Sequence, residues 1–125
     1  MNTPIYALVK ASPAALTLLG SPSPRFYAFG NAPQPGTTAY KLPYAVWQTA
    51  YGTPENYVNQ RPDIDNWGIQ VDAYAQSMQQ ARDVLMALRD ALEGAAHIVS
   101  WGIEEREADT NLYRANFTVE FYTPR

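Results

Sequence analysis

Trp67-Gly68-Ile69-Gln70-Val71-Asp72-Ala73-Tyr74-Ala75 alternates residue by residue, and Ser77 to Leu92, starting two positions later, repeats at three- and four-residue steps. In the first stretch Trp67, Ile69, Val71 and Ala73 fall on one side, while Gly68, Gln70, Asp72 and Tyr74 fall on the other. That is a strand with one buried face. In the second, Met78, Ala81, Leu85, Leu88 and Leu92 form one apolar stripe, which predicts an amphipathic helix. Arg82, Asp83, Arg89, Asp90 and Glu93 fall mainly off that stripe. Ser77 and Gln80 stand at the spacing of a capping box, and Gly94 is expected to close the helix.

Working outward, Tyr44 to Tyr51 is rich in aromatic residues and reads as a strand after Pro43, broken by Gly52-Thr53-Pro54. The polar stretch Thr53 to Asn66, with Pro54 and Pro62, reads as a long exposed loop or a loosely paired hairpin tip. Past the helix, His97, Val99, Trp101 and Ile103 are expected to share an apolar strand face. A turn near Asp109-Thr110-Asn111 leads to a return strand with Tyr113, Ala115, Phe117, Val119 and Phe121 on one face. Arg114, Asn116, Thr118 and Glu120 take the other. At the other end, Pro4 opens a short helical piece. Ser12-Pro13 starts a second, by N-cap and first-turn proline, which Gly20 ends. Arg25 to Phe29 reads as a brief strand, and Gly30 to Gly36 as loop. The expected class is α+β: an antiparallel sheet of about four to five strands, with the long helix and an N-terminal helix packed on one face, in one domain over residues 1–125.

Composition narrows the function classes. The 125 residues include no cysteine and a single histidine, His97. Disulfides, thiolate metal sites and cysteine nucleophiles are excluded, and multi-histidine metal centres with them. The net charge of −3 supplies no basic surplus for phosphate neutralisation, and no apolar run reaches bilayer length. The expected setting is therefore soluble, with neither sequence-specific nucleic acid nor membrane as partner. Charged residues are only 17% of the chain against about 25% in ordinary domains. Aromatics reach 13%, and arginine outnumbers lysine seven to two. Interfaces deplete Lys, Glu and Asp and favour aromatics and Arg, so part of the outside is expected to meet neighbours.

Catalytic readings fail one by one. His97 has no Gly-x-Ser-x-Gly partner, and strand parity places Ser100 on the opposite face, so it is expected to be a hydrogen-bonded structural residue. Glu104, Glu105, Glu107 and Asp109 form an acidic run. Alternation splits Glu104 from Glu105 and Glu107, which predicts a solvated hairpin end with Arg106 and Arg114 as cross-strand partners rather than a cage. Asp63 and Asp65 lack the glycine and distal glutamate of a calcium loop. Gly30 and Gly36 flank prolines, which lack the N–H groups a phosphate loop needs. Trp47, Trp67 and Trp101 are strand residues, expected in core or interface rather than as stacking platforms. No catalytic residue, cofactor site or metal site is assigned. The candidate contact residues are Glu55, Tyr57, Arg61, Asp63 and Asp65 in the long loop, and Glu104, Glu105, Arg106, Glu107 and Arg114 in the hairpin as interface or lumen.

Three segments resemble the tail completion (tail terminator) proteins of long-tailed bacteriophages. Leu42-Pro43-Tyr44-Ala45-Val46-Trp47-Gln48 running into Gly52-Thr53-Pro54 is similar to that family's first central strand. Gln70 to Ala75, with the helix from Ser77 through Ala81, Val84, Leu88 and Leu92, resembles its next strand and long helix. Ala14 to Gly20 looks like its opening helix. The Pro-rich stretch Ser21–Gly36 and the acidic C-terminal hairpin depart from the pattern. The resemblance implies a structural virion protein without enzymatic activity: a homo-oligomeric ring, a hexamer, on the head-proximal end of the tail tube. Its implied neighbours are the tail tube protein and the head–tail connector protein, with the tape measure protein as a further candidate. Its implied locations are the virion tail and, during assembly, the host cytoplasm. A head–tail adaptor or minor tail protein of related fold, and a small-ligand domain using the tryptophans, are the alternatives.

Overall fold

The computed structural model describes residues 3–55 and 64–124. Two short helices open the chain, α1 (Ile5–Lys10) and α2 (Pro13–Leu19). The Ser12 hydroxyl accepts the Ala15 N–H at 3.3 Å, capping α2 as the Ser-Pro pair predicts. Gly20 ends it with φ of 105°, a conformation glycine adopts without steric cost. The strands are β1 (Phe26–Ala28), β2 (Tyr44–Pro54), β3 (Ile64–Ala75), β4 (His97–Trp101), β5 (Glu105–Arg106) and β6 (Tyr113–Pro124). Helix α3 (Met78–Leu92) follows β3. Ser77 Oγ accepts the Gln80 N–H at 3.1 Å, while Gln80 Oε1 reaches back to the Gln76 N–H rather than to that of Ser77. Helix α3 stops before Gly94, with Glu93 in ordinary helical conformation as its cap.

The described residues form one six-stranded sheet in the order β1-β2-β3-β6-β4, with β5 also paired to β6. The class is the expected α+β, and two details of the sheet differ from the expectation. There are six strands rather than four to five, and β1 runs parallel to β2 while the other pairs are antiparallel. Residues 29–43 bring the chain back to start β2 beside β1 in the same direction, and a return of that length is what a parallel pair requires. Of the two forms expected for the polar stretch, its ends take the paired one: Thr53 pairs with Asn66 and Pro54 with Asp65, so β2 continues through the break expected at Gly52-Thr53-Pro54.

Helix α3 lies against β3 and β6, and α1 and α2 pack on α3. Between these layers sit Val84, Leu88 and Leu92 of α3, Ile69 and Val71 of β3, and Phe117 and Val119 of β6, all buried. Ile5, Val9 and Leu19 extend the same core. The helix face of the sheet is thus the apolar one, as the alternation of β3 and β6 predicts. In β4 the parity breaks. A bulge between Ile98 and Ser100 leaves Ile98 opposite Val119, with Val99 out of register. Ile98 packs on the core, whereas His97 is exposed and Val99, Trp101 and Ile103 are 45%, 50% and 69% exposed. The expected apolar face through these four residues does not form.

Two glycines face aromatic rings across the β2–β3 ladder. A Cβ on Gly68 would lie 2.3 Å from the Tyr51 ring, and one on Gly52 would lie 2.2 Å from the Trp67 ring. Each glycine leaves room for a ring to lie flat over the neighbouring strand.

Candidate functional site

The sheet face turned away from the helices carries residues that packing alone does not require. At one end the Tyr44 and Tyr74 rings stack with centroids 5.1 Å apart, flanked by Tyr27 and Tyr40. Burial and the neighbouring Tyr40, Tyr74 and Glu107 push the Tyr44 hydroxyl up to about 12. Beside them Arg114 holds Glu105 at 2.6 Å and approaches Glu107 at 4.0 Å. Burial works against the Arg114 charge, and Tyr74, Asp72 and Glu105 outweigh it.

Asp72 is 4% exposed, the buried charged residue of the described chain. Gln70 Nε2 donates to both its carboxylate oxygens at 3.2 Å. Burial still raises its pKa, against the opposing pull of Gln70, Arg114 and Asn116. The turn Phe29 to Ala32 closes over this region and walls a cavity of about 320 Å³ whose floor includes Gln70, Asp72 and Arg114. At the far end of the face Tyr51 donates to Glu120, and His97 meets the Tyr122 ring edge-on at 6.1 Å.

The β4 edge is different in kind. Trp101 crosses Phe117 at 5.5 Å and, with Met86, Leu85 and Gly102, lines a groove of about 460 Å³ between α3 and the edge strand. Arg82 closes one side by a two-pronged pair with Glu104, at 2.5 and 2.8 Å.

These positions sort the sequence candidates. Glu104 turns to the helix side and to Arg82, while Glu105 and Glu107 share Arg114, so the split read from alternation holds. Arg106 donates to Asn111 Oδ1 rather than to a carboxylate. The turn forms at the expected place, with Asn111 at φ 58°. Glu55 continues the β2–β3 ladder, its N–H donating to the Ile64 carbonyl at 2.9 Å, and Asp65 pairs with both Pro54 and Thr123. Tyr57, Arg61 and Asp63 lie outside the described residues. His97 does not lie on the apolar face expected of it: it stands exposed opposite Glu120, and the bulge brings Ser100, opposite Thr118, onto the same face.

Sequence reasoning placed Asp72 on this face but did not single it out. The signal was a carboxylate inside the otherwise uncharged stretch Trp67–Ala75, where burial makes ionisation costly. The groove left no comparable signal, since Met86 and Trp101 meet only through the fold. Among the described residues no group of three or more His, Asp or Glu is arranged to hold a metal ion. No described helix is long and apolar enough to cross a membrane. What this face and edge offer is a layer of aromatic rings, fixed charges and exposed apolar groups.

Known proteins bear on what such a surface serves. The family model described as "Tail completion protein gp17" matches residues 3–123. A chain in the solved structure of the virion of a native gene transfer agent (GTA) particle superposes with a TM-score of 0.60 at 17% identity, over 97% of this chain and 92% of that one. At that identity the likeness is one of fold. No curated protein matches the chain.

Proposed function

The chain belongs to the tail completion protein gp17 family, structural proteins of the bacteriophage tail, and from that premise we propose that it caps the head-proximal end of the tail tube. In this reading six identical copies close a ring that stops tube growth and offers the head–tail connector a docking surface. The number six follows the symmetry of tail tubes. The tail tube protein lies on one side, the connector on the other, and the tape measure protein is a further candidate neighbour.

The observation that carries the proposal is the family match across residues 3–123. Composition supports it, because a ring subunit turns two flanks and two faces to neighbours, and this chain is poor in charge with arginine dominant. The stretch from Glu55 to Asp65, and the Glu104–Glu107 hairpin with Arg114, are the proposed contact elements. A mildly acidic subunit also suits a channel through which DNA slides without adhering. With limited flank area the free chain is monomeric at low concentration and closes into a ring on the tube, where neighbouring sites raise the effective concentration. It assembles in the host cytoplasm and remains in the virion.

Averaged images of assembled particles test this. Six-fold density for the chain at the head-proximal end of the tube is expected. One or two copies there, or attachment to the side of the tail, would defeat it, and density on the connector side of the joint alone would make the chain a head–tail adaptor.

A further inference from the structure

Charge is distributed along this chain in a way its net value hides. Residues 1–54 hold none of the twelve acidic residues and three of the nine basic ones, Lys10, Arg25 and Lys41. The rest of the chain holds all twelve acids and six bases. The sheet order converts this sequence asymmetry into a spatial one, because β1 forms one edge and β4 and β5 the other. Arg25, Lys41 and the acid-free strap of residues 29–43 belong to the β1 edge. Glu104, Glu105, Glu107 and Asp109 belong to the opposite edge, where Arg82 and Arg114 pair with three of them and Arg106 lies between, so the acidic bias there is a small one.

The apolar side chains divide the same way. Phe29, 73% exposed, projects just past the end of β1, with its N–H bonded to the Trp47 carbonyl. On the opposite edge Met86 and Trp101, 36% and 50% exposed, line the groove, and Val99 and Ile103 are exposed on the same edge. β4 itself, His-Ile-Val-Ser-Trp, holds no Lys, Pro or acid to discourage pairing. Its bulge interrupts a regular ladder, so a partner here is met by side chains rather than by an added strand.

One edge thus offers an aromatic knob in acid-free surroundings, and the other an apolar groove with acidic neighbours. We propose that successive copies of the chain join head to tail, the β1 edge of one copy seating Phe29 in the Trp101–Met86 groove on the β4 edge of the next. The proposal rests on the ring reading above, since a contact between two different edges is the kind that closes rings. The occupant is a second copy because knob, groove and opposite charge bias all lie on one chain, at opposite ends of one sheet.

The absence of cysteine makes the test direct. Particles carrying the double variant Phe29→Cys, Met86→Cys are oxidised and separated under denaturing, non-reducing conditions, beside particles with each single variant. A ladder of covalent multimers from the double variant, with monomer from both singles, is expected. Because Phe29 is largely exposed and Met86 lies on the rim, neither change should disturb folding, and a melting curve checks this. Disulfide dimers from Met86→Cys alone would mean that like edges meet, and would overturn the pairing. Monomer from a folded double variant whose particles still show the ring would overturn the edge assignment and leave the ring reading standing. Loss of the ring from particles with Phe29→Cys, where the unaltered chain forms one, would support the seating of Phe29, and no ring in particles of the unaltered chain would remove both readings.

Discussion

The two sides of the sheet are built from the same strands and obey different rules. On the helix side, β3 and β6 present Ile69, Val71, Phe117 and Val119, each almost wholly buried against α3. Their contribution scales with area removed from water, and any well-fitting apolar side chain could serve. On the open side the same strands present Gln70, Asp72, Arg114 and Glu120, tied by specific pairs: Gln70 to Asp72, Glu105 to Arg114, Tyr51 to Glu120. The wetter pairs, Glu105 to Arg114 and Tyr51 to Glu120, add little to stability, whereas the Gln70 bond offsets part of the cost of burying Asp72. The contrast teaches that the helix side specifies the fold, which leaves the open side and the two edges available for the contacts proposed above.

The sharpest way to break this contrast is to damage each side and measure unfolding. Leu88→Ala on the helix side should cost about 2–5 kcal/mol, since Leu88 is fully buried and its cavity cannot fill. Denaturant titration measures it, and a loss below the bottom of that range would mean that the core repacks freely. Gly68→Ala should come next, at about 1–3 kcal/mol, because the new methyl meets the Tyr51 ring and pushes it from Glu120. An unchanged melting curve would mean that the ring is free to move aside.

Asp72→Asn should go the other way. Burial raises this carboxyl above its unfolded value. Between the two values the folded chain holds the extra proton, so this group's contribution to stability falls as pH rises through the folded-state value and stays low above it. Removing the charge is expected to leave stability at pH 7 unchanged or higher, and to remove this acid-side gain. A clear loss of stability at neutral pH would make the Asp72–Arg114 attraction a structural requirement. Glu104→Gln is the smallest change. Its pair with Arg82 is solvent-exposed, so melting should match the unaltered chain, and a resolved drop would contradict the division of roles.

Much of this division was legible in the residues themselves. The alternation of Trp67 to Ala75 and Tyr113 to Phe121, and the stripe of α3, separate the two faces because a buried face imposes its period on the side chains. What could not be read was where the period breaks. The bulge at Val99 turns His97 to the open face while Trp101 stays opposite Phe117, and a bulge is set by pairing with β6 rather than by local residue choice. Likewise the polar residues at Thr53 and Asn66 look like loop, yet pairing across the ladder holds them extended. The parallel placing of β1 depends on how residues 29–43 return, which no local pattern encodes. At the site, the split of Glu104 from Glu105 and Glu107 was visible from alternation. The burial of Asp72 was not, since it follows from the fold as a whole.

Oxidative footprinting of side chains, on the free chain and on assembled tails, tests most directly the proposal that neighbours are met at the open face and edges rather than at α1 and α2. Phe29, Trp101 and Tyr122 are 73%, 50% and 51% exposed in the subunit, and Tyr6 on α1 is 38% exposed. Assembly should protect Phe29 and Trp101 strongly, protect Tyr122 as well, and leave Tyr6 as reactive as before. Protection of Tyr6 with Phe29 and Trp101 unchanged would put the contacts on the helix layer and contradict the account.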